Sequence, residues 1–169
     1  MSKNNKKPGD ILFDEFYESV YGERWSSLKK AMLSKTKHIL LANPYSTYQA
    51  NSQQWKPFAY FDEGFKQAPG DGPLAPYYFM DAASYLAPFY LAPQKGDKVL
   101  DLCAAPGGKS LVLAYLMKCC GHLTVNDKST DRRFRLQRVL RQYLPLDFTQ
   151  NHLRITGFDA SAWCLYEQE

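Results

Sequence analysis

The segment Val99-Leu100-Asp101-Leu102 runs directly into Cys103-Ala104-Ala105-Pro106-Gly107-Gly108-Lys109-Ser110, and helical spacing follows. An apolar run, small residues with paired glycines and then a helical period predict a strand, a tight turn and a helix. Such a turn lets backbone amides approach a ligand at the carboxyl end of a strand, where open α/β sheets bind. The helix start adds a partial positive charge suited to a carboxylate or phosphate. Three ligand classes compete for this loop. A phosphate-binding loop reads G-x-x-x-x-G-K-S; Gly108-Lys109-Ser110 supplies its end, but Cys103 stands where the first glycine must be. A nicotinamide or flavin loop needs G-x-G-x-x-G, which is not met. The remaining class is an adenosine ligand with an amino-acid tail and no phosphates, S-adenosylmethionine.

Further residues extend the constellation. Asp127 follows Thr124-Val125-Asn126 at the end of a second apolar run, where an acid is placed to accept from both ribose hydroxyls. In the helical stretch from Asp131 to Leu144, Leu136, Val139, Leu140 and Tyr143 form the apolar face. Arg132, one turn before Leu136 on that face, is expected to point toward the ligand edge. Arg135, Arg138 and Arg141 lie on another face and read as solvated, with a phosphate-tracking stripe as the alternative. Asp159, just past a third apolar run, could accept from the adenine amino group, a reading that the matching acids and loop favour over the alternative of a helix N-cap.

The elements that must position these residues form an alternating series. Met80 to Leu91 reads as a helix, Lys98 to Cys103 as a strand, Lys109 to Lys118 as a helix and His122 to Asn126 as a strand. Asp131 to Leu144 is then helical and Leu153 to Gly157 a third strand. Strand, helix, strand, helix, strand predicts an α/β fold with a parallel, doubly wound sheet. Upstream, Ile11 to Tyr21 and Trp25 to Leu33 carry apolar residues at helical spacing, whose expected role is burial against the main domain. Between Asn43 and Pro76, prolines and glycines accumulate and periodicity fails, predicting loop. The expected domains are 1–76, helical and irregular, and 77–169, ligand-binding.

Composition narrows the classes. A net charge of +4 gives mild support for a polyanionic partner. No run of about 18 apolar residues occurs, so no membrane insertion is expected. Four cysteines, with Cys119 and Cys120 adjacent, make no disulfide framework and suit a reducing cytoplasm. His38, His122 and His152 form no ligand spacing with them, so no metal is expected. Cys103, Cys119, Cys120 and Cys164 read as buried or incidental thiols.

The stretch Asp101-Leu102-Cys103-Ala104-Ala105-Pro106-Gly107-Gly108-Lys109 resembles the hallmark loop of the Nop/Sun-domain RNA 5-methylcytosine methyltransferases. Tyr77 to Ser84 is similar to the family's helix before that loop. Phe13 to Tyr17 and Gly22 to Trp25 resemble the amino-terminal segment of its mitochondrial ribosomal-RNA branch. The resemblance implies the amino-terminal part of a Rossmann-like methyltransferase fold with three parallel strands. It implies S-adenosylmethionine as cofactor, held by Cys103, Ala104, Ala105, Pro106, Gly107, Gly108, Lys109, Asp127, Arg132 and Asp159, and RNA, ribosomal RNA in particular, as substrate. In the family a thiolate adds at cytosine C6 so that C5 becomes nucleophilic. Its two cysteines lie in Asp-x-Pro-Cys and Thr-Cys motifs, and neither motif occurs here. The expectation is therefore a cofactor-binding portion with no catalytic residue of its own, completed by a downstream segment or second chain. The alternative is a non-catalytic module that binds cofactor or RNA.

Overall fold

The computed structural model describes residues 8–47, 53–61 and 72–166. The chain divides into two compact units, Met1–Thr36 and Lys37–Glu169.

In the first unit, helices α1 (Pro8–Tyr21) and α2 (Arg24–Met32) form a hairpin. The reversal falls at Gly22, whose φ of +55° is cheap only for glycine. Trp25 is buried between the helices, with its ring against those of Phe13, Tyr17 and Tyr21. Asp14 accepts from Trp25 Nε1 at 3.3 Å and pairs with Lys29. The aromatic stripe seen in the sequence is thus in large part the seam of this hairpin.

The second unit contains two sheets. Strands β1 (His38–Ala42), β2 (Gln54–Lys56), β3 (Ala59–Phe61) and β4 (Tyr77–Asp81) form an antiparallel sheet in the order β2-β3-β1-β4. This corrects two expectations. The span read as loop from Asn43 to Pro76 contains β2 and β3, while 62–71 lies outside the described residues. The helix read as starting at Met80 instead follows a strand: Tyr77–Asp81 pairs with β1, and Asp81 accepts from the Ala83 amide to cap α3 (Ala82–Leu91). The alternating aromatic run Tyr77-Tyr78-Phe79 favours a half-buried strand, and the Asp81 cap sets the change of geometry. The expected boundary after Pro76 falls inside this unit, between strands that pair with each other.

After α3 come β5 (Lys98–Asp101), α4 (Gly108–Leu116), β6 (His122–Asn126), α5 (Thr130–Tyr143), α6 (Leu146–Asn151) and β7 (Leu153–Thr156). Strands β5, β6 and β7 are parallel in that order, as the alternating pattern predicted. Helix α4 carries the centre of the core: Leu111, Val112, Leu113, Ala114 and Tyr115 are all buried. Tyr115 meets Tyr45 and Phe58 at centroid separations of 6.1 and 5.9 Å, so α4 packs on the segments of the antiparallel sheet as well as on α3. This burial fixes the start of α4, and with it the glycine turn, between the two sheets.

Candidate cofactor site at the strand ends

The turn after β5 is held by its own side chains. Ser110 Oγ donates to Asp101 Oδ2 at 2.8 Å, tying the end of the strand to the first turn of α4. Gly107 stands at the N-cap with φ +119°, a conformation that an L side chain rarely adopts. Gly108 is closely covered: a Cβ there would lie 2.9 Å from Tyr78 Cε1. Ala104, Ala105, Gly107 and Gly108 are buried, whereas Cys103, Pro106 and Lys109 are exposed. A cleft of about 210 Å³ lies along the turn, with Tyr78, Ser84, Cys103, Pro106, Gly108 and Lys109 among its walls.

Asp127, Arg132 and Asp159 are not in the walls of that cleft; they gather at the ends of β6 and β7. The Asp127 side chain is 5% exposed, and its Oδ1 accepts from the Ser129 amide at 3.1 Å. Arg132 Nη2 stands 3.2 Å from Asp127 Oδ2, an ion-pair distance, but out of line for a hydrogen bond, so that buried oxygen has no hydrogen-bond donor. The same Nη2 donates to the Ala105 carbonyl at 3.0 Å. The sequence constellation of glycine turn, acid and arginine is therefore one connected group. A buried carboxylate oxygen with unused acceptor capacity fits a ligand hydroxyl. A cleft of about 210 Å³ is smaller than typical small-molecule pockets. The acid end of the constellation therefore carries more of the binding argument than the cleft.

Asp159 takes the N-cap role. Its Oδ1 accepts from the Ser161 amide at 3.0 Å and Ser161 Oγ at 2.7 Å, opening a 3₁₀ helix over Ala160–Leu165. Its Oδ2 accepts from Lys128 Nζ at 2.6 Å. The bond from Lys128, aided by those from Ser161, pulls the Asp159 carboxyl down to about 2.

Arg133 was absent from the sequence-derived site. Its Nη1 donates to the carbonyls of Asp127 and Lys128 at 2.8 and 2.9 Å, fixing the bend just after β6. The thiols divide by exposure: Cys103 and Cys164 are exposed, so of the two roles read for them, buried or incidental, burial does not apply. Cys119 and Cys120 are half-buried in the turn after α4, and burial raises the Cys119 thiol to about 11.

Comparison with known proteins converges on this half of the chain. Residues 88–166 match the family described as 16S rRNA methyltransferase RsmB/F. The 5-cytosine rRNA methyltransferase NSUN4 of Mus musculus is 33% identical over 89% of this chain and 50% of its own length. The Xenopus laevis protein of the same name is 50% identical over 53% of this chain and 22% of its own. The chain thus spans about half the length of the curated relatives that it matches most fully. A methyltransferase homolog from Pyrococcus horikoshii superposes with a TM-score of 0.69 at 23% identity, covering 92% of this chain and 54% of that one, which establishes the shared fold. The hallmark loop, the parallel strand order and these relatives agree: residues 88–166 match the RsmB/F family model, and the chain is similar to 5-cytosine rRNA methyltransferases.

Proposed function

We propose that this chain provides the S-adenosylmethionine-binding portion of a cytosine-C5 RNA methyltransferase whose substrate is ribosomal RNA. The observation that carries the reading is the buried Asp127 carboxylate, linked by Arg132 to the glycine turn and retaining one oxygen without a hydrogen-bond donor. Asp127 would accept from the ribose hydroxyls. The amides of Gly107 to Lys109, at a helix start with no side-chain cap, would receive the carboxylate of the amino-acid tail. Cys103 to Pro106 would line the path between them. Asp159 would meet the adenine amino group through whatever acceptor capacity its cap and its Lys128 pair leave. When bound, the cofactor supplies a sulfonium-activated methyl group. The ribosomal RNA assignment rests on the names of the relatives.

Isothermal calorimetry on the 169-residue chain tests this reading. S-adenosylmethionine should bind, and ATP with magnesium should bind no better than adenosine, because Cys103 replaces the first glycine of a phosphate cradle. Tight, magnesium-dependent ATP binding without S-adenosylmethionine binding would overturn it.

A further inference from the structure

One buried side chain ties together the ends of all three parallel strands. Asn126, the last residue of β6, is 0% exposed. Its Nδ2 donates to the carbonyls of Leu102 and Phe158, each at 3.0 Å. Its Oδ1 accepts from Thr156 Oγ1 at 2.9 Å and from the Phe158 amide at 2.8 Å. A carboxamide has two donor hydrogens and two acceptor lone pairs, so its capacity is filled. The partners also fix its orientation. The Leu102 carbonyl can only accept and the Phe158 amide can only donate, so a flipped amide would oppose like groups at both.

These contacts lie where the regular ladder stops. The last pairs are Asp101 with Val125 and Asn126 with Thr156. Beyond them Leu102 leads into the glycine turn, Asn126 precedes Asp127, and Phe158 precedes Asp159. A single amide therefore reaches each of the three loops that follow the strands, and the Ala104 amide adds a bond to the Asn126 carbonyl at 2.9 Å. An apolar residue here would leave the Leu102 carbonyl and the Phe158 amide and carbonyl without these partners.

We infer that Asn126 is the positioning residue of the cofactor site, setting the spacing of the three loops so that one ligand can engage them together. The inference rests on the S-adenosylmethionine reading above. A ligand that reaches across several loops gains from their fixed spacing, whereas a ligand that engages fewer of them gains less. Loss of Asn126 should therefore weaken a full-length ligand more than a shortened one, which a general loss of stability would not do.

The test compares S-adenosylmethionine with 5′-methylthioadenosine, which lacks the amino-acid tail, by calorimetry at a temperature where each variant is folded. Asn126→Ala should weaken the full ligand about tenfold or more and the shortened one by less than about threefold. Thr156→Val, which removes one bond to Asn126 and spares the amide, should shift the same ratio in the same direction, and Thr156→Ser should restore it. This pair decides the matter if Asn126→Ala fails to fold. In hydrogen exchange the amides of Ala104, Asp127 and Phe158 should accelerate together while Leu123 and Val125 stay protected. Equal loss for both ligands, or faster exchange confined to Phe158, whose acceptor has been removed, would overturn the inference. If the unsubstituted chain bound neither ligand, the functional reading would fall, and the exchange data would still decide whether Asn126 couples the loops.

Discussion

Arg132 Nη2 lies 3.2 Å from Asp127 Oδ2 while donating to the Ala105 carbonyl, so one guanidinium spans the acid at the end of β6 and the turn after β5. Asp127 is therefore both the expected ribose acceptor and the counter-charge that holds Arg132 over the turn. Asp127→Ala should weaken S-adenosylmethionine binding about ten- to hundredfold, roughly 1.5–3 kcal/mol, the range for a hydrogen bond to a charged group. Calorimetry on the folded variant measures this. Unchanged affinity would remove Asp127 from the site.

The turn tolerates no side chain at either glycine. At Gly107 an alanine would have to hold φ near +119°, a strain of about 1–3 kcal/mol, with its Cβ 3.1 Å from Val139 Cγ1. At Gly108 the obstacle is Tyr78, whose ring packs edge-on against Tyr143 at 5.4 Å. Gly107→Ala and Gly108→Ala should each lower thermal stability and cofactor affinity. Tyr78→Leu should restore part of the loss in Gly108→Ala and none in Gly107→Ala. Equal rescue of both would show that Tyr78 is not the obstacle.

The parallel half of the fold was legible because each β-to-α passage has a local signature: an apolar run, then glycine or a capping residue, then a helical period. Ser129 caps α5 in just this way, accepting from the Arg132 amide. The antiparallel half was not legible. Strands β2 and β3 have three residues each, too few for a period to register, and they exist through pairing with β1 and with each other. Within the site, glycine turn, acid and arginine could be read because each carries a spacing rule. Asn126 has none, since its role comes from Leu102, Thr156 and Phe158, which only the folded chain brings to it. Asp159 was legible in both of its candidate roles, and the structure shows the capping role occupied.

That occupancy gives a discriminating substitution. Asp159→Ser keeps an oxygen able to cap the Ser161 amide but cannot pair with Lys128 or offer a charged acceptor to adenine. If Asp159 contacts the adenine, Asp159→Ser should weaken S-adenosylmethionine severalfold while leaving the melting temperature nearly unchanged. Equal affinity would assign Asp159 to capping alone. The measurement can be made anywhere above pH 4, because the Lys128 bond holds the carboxyl near 2, below its ordinary 3.8, and its contribution is lost only as pH falls through that value.

Alkaline conditions should destabilise the second unit. Burial raises Cys119 from 9.0 to about 11 and Tyr85 from 10.0 to about 12, and it also pushes Tyr115 upward. Each group is neutral when protonated, so the fold binds these protons more tightly than the unfolded chain does. Their stabilisation is complete below about pH 9 and declines as pH rises through about 11 to 12. Denaturant midpoints measured from pH 8 upward should fall in that window. Cys119→Ala should flatten the first part of the decline. Alkylation at pH 8 should reach exposed Cys103 and Cys164 well before Cys119.

Strand β5 raises a question of association, because it is an edge of the parallel sheet among the described residues. Parallel strands are ordinarily covered on both sides, and an unpaired apolar edge is a template for another chain. Leu100 and Leu102 are 39% and 37% exposed. A groove of about 350 Å³ beside them is walled by Ala87, Pro88, Leu91 and Leu113. The 169-residue chain should therefore self-associate as its concentration rises, and the amides of β5 should exchange faster than those of β6 in the dilute state. Leu100→Lys places a charge on the edge and should shift sedimentation toward monomer without altering cofactor affinity, since no residue of the proposed site is changed. In the same preparations methyl transfer to RNA should be undetectable, because the chain holds neither the Asp-x-Pro-Cys nor the Thr-Cys motif. A monomer at all concentrations with a protected β5 would refute the open-edge argument. Turnover abolished by Cys103→Ser or Cys164→Ser would show that an exposed thiol of this chain serves as the nucleophile.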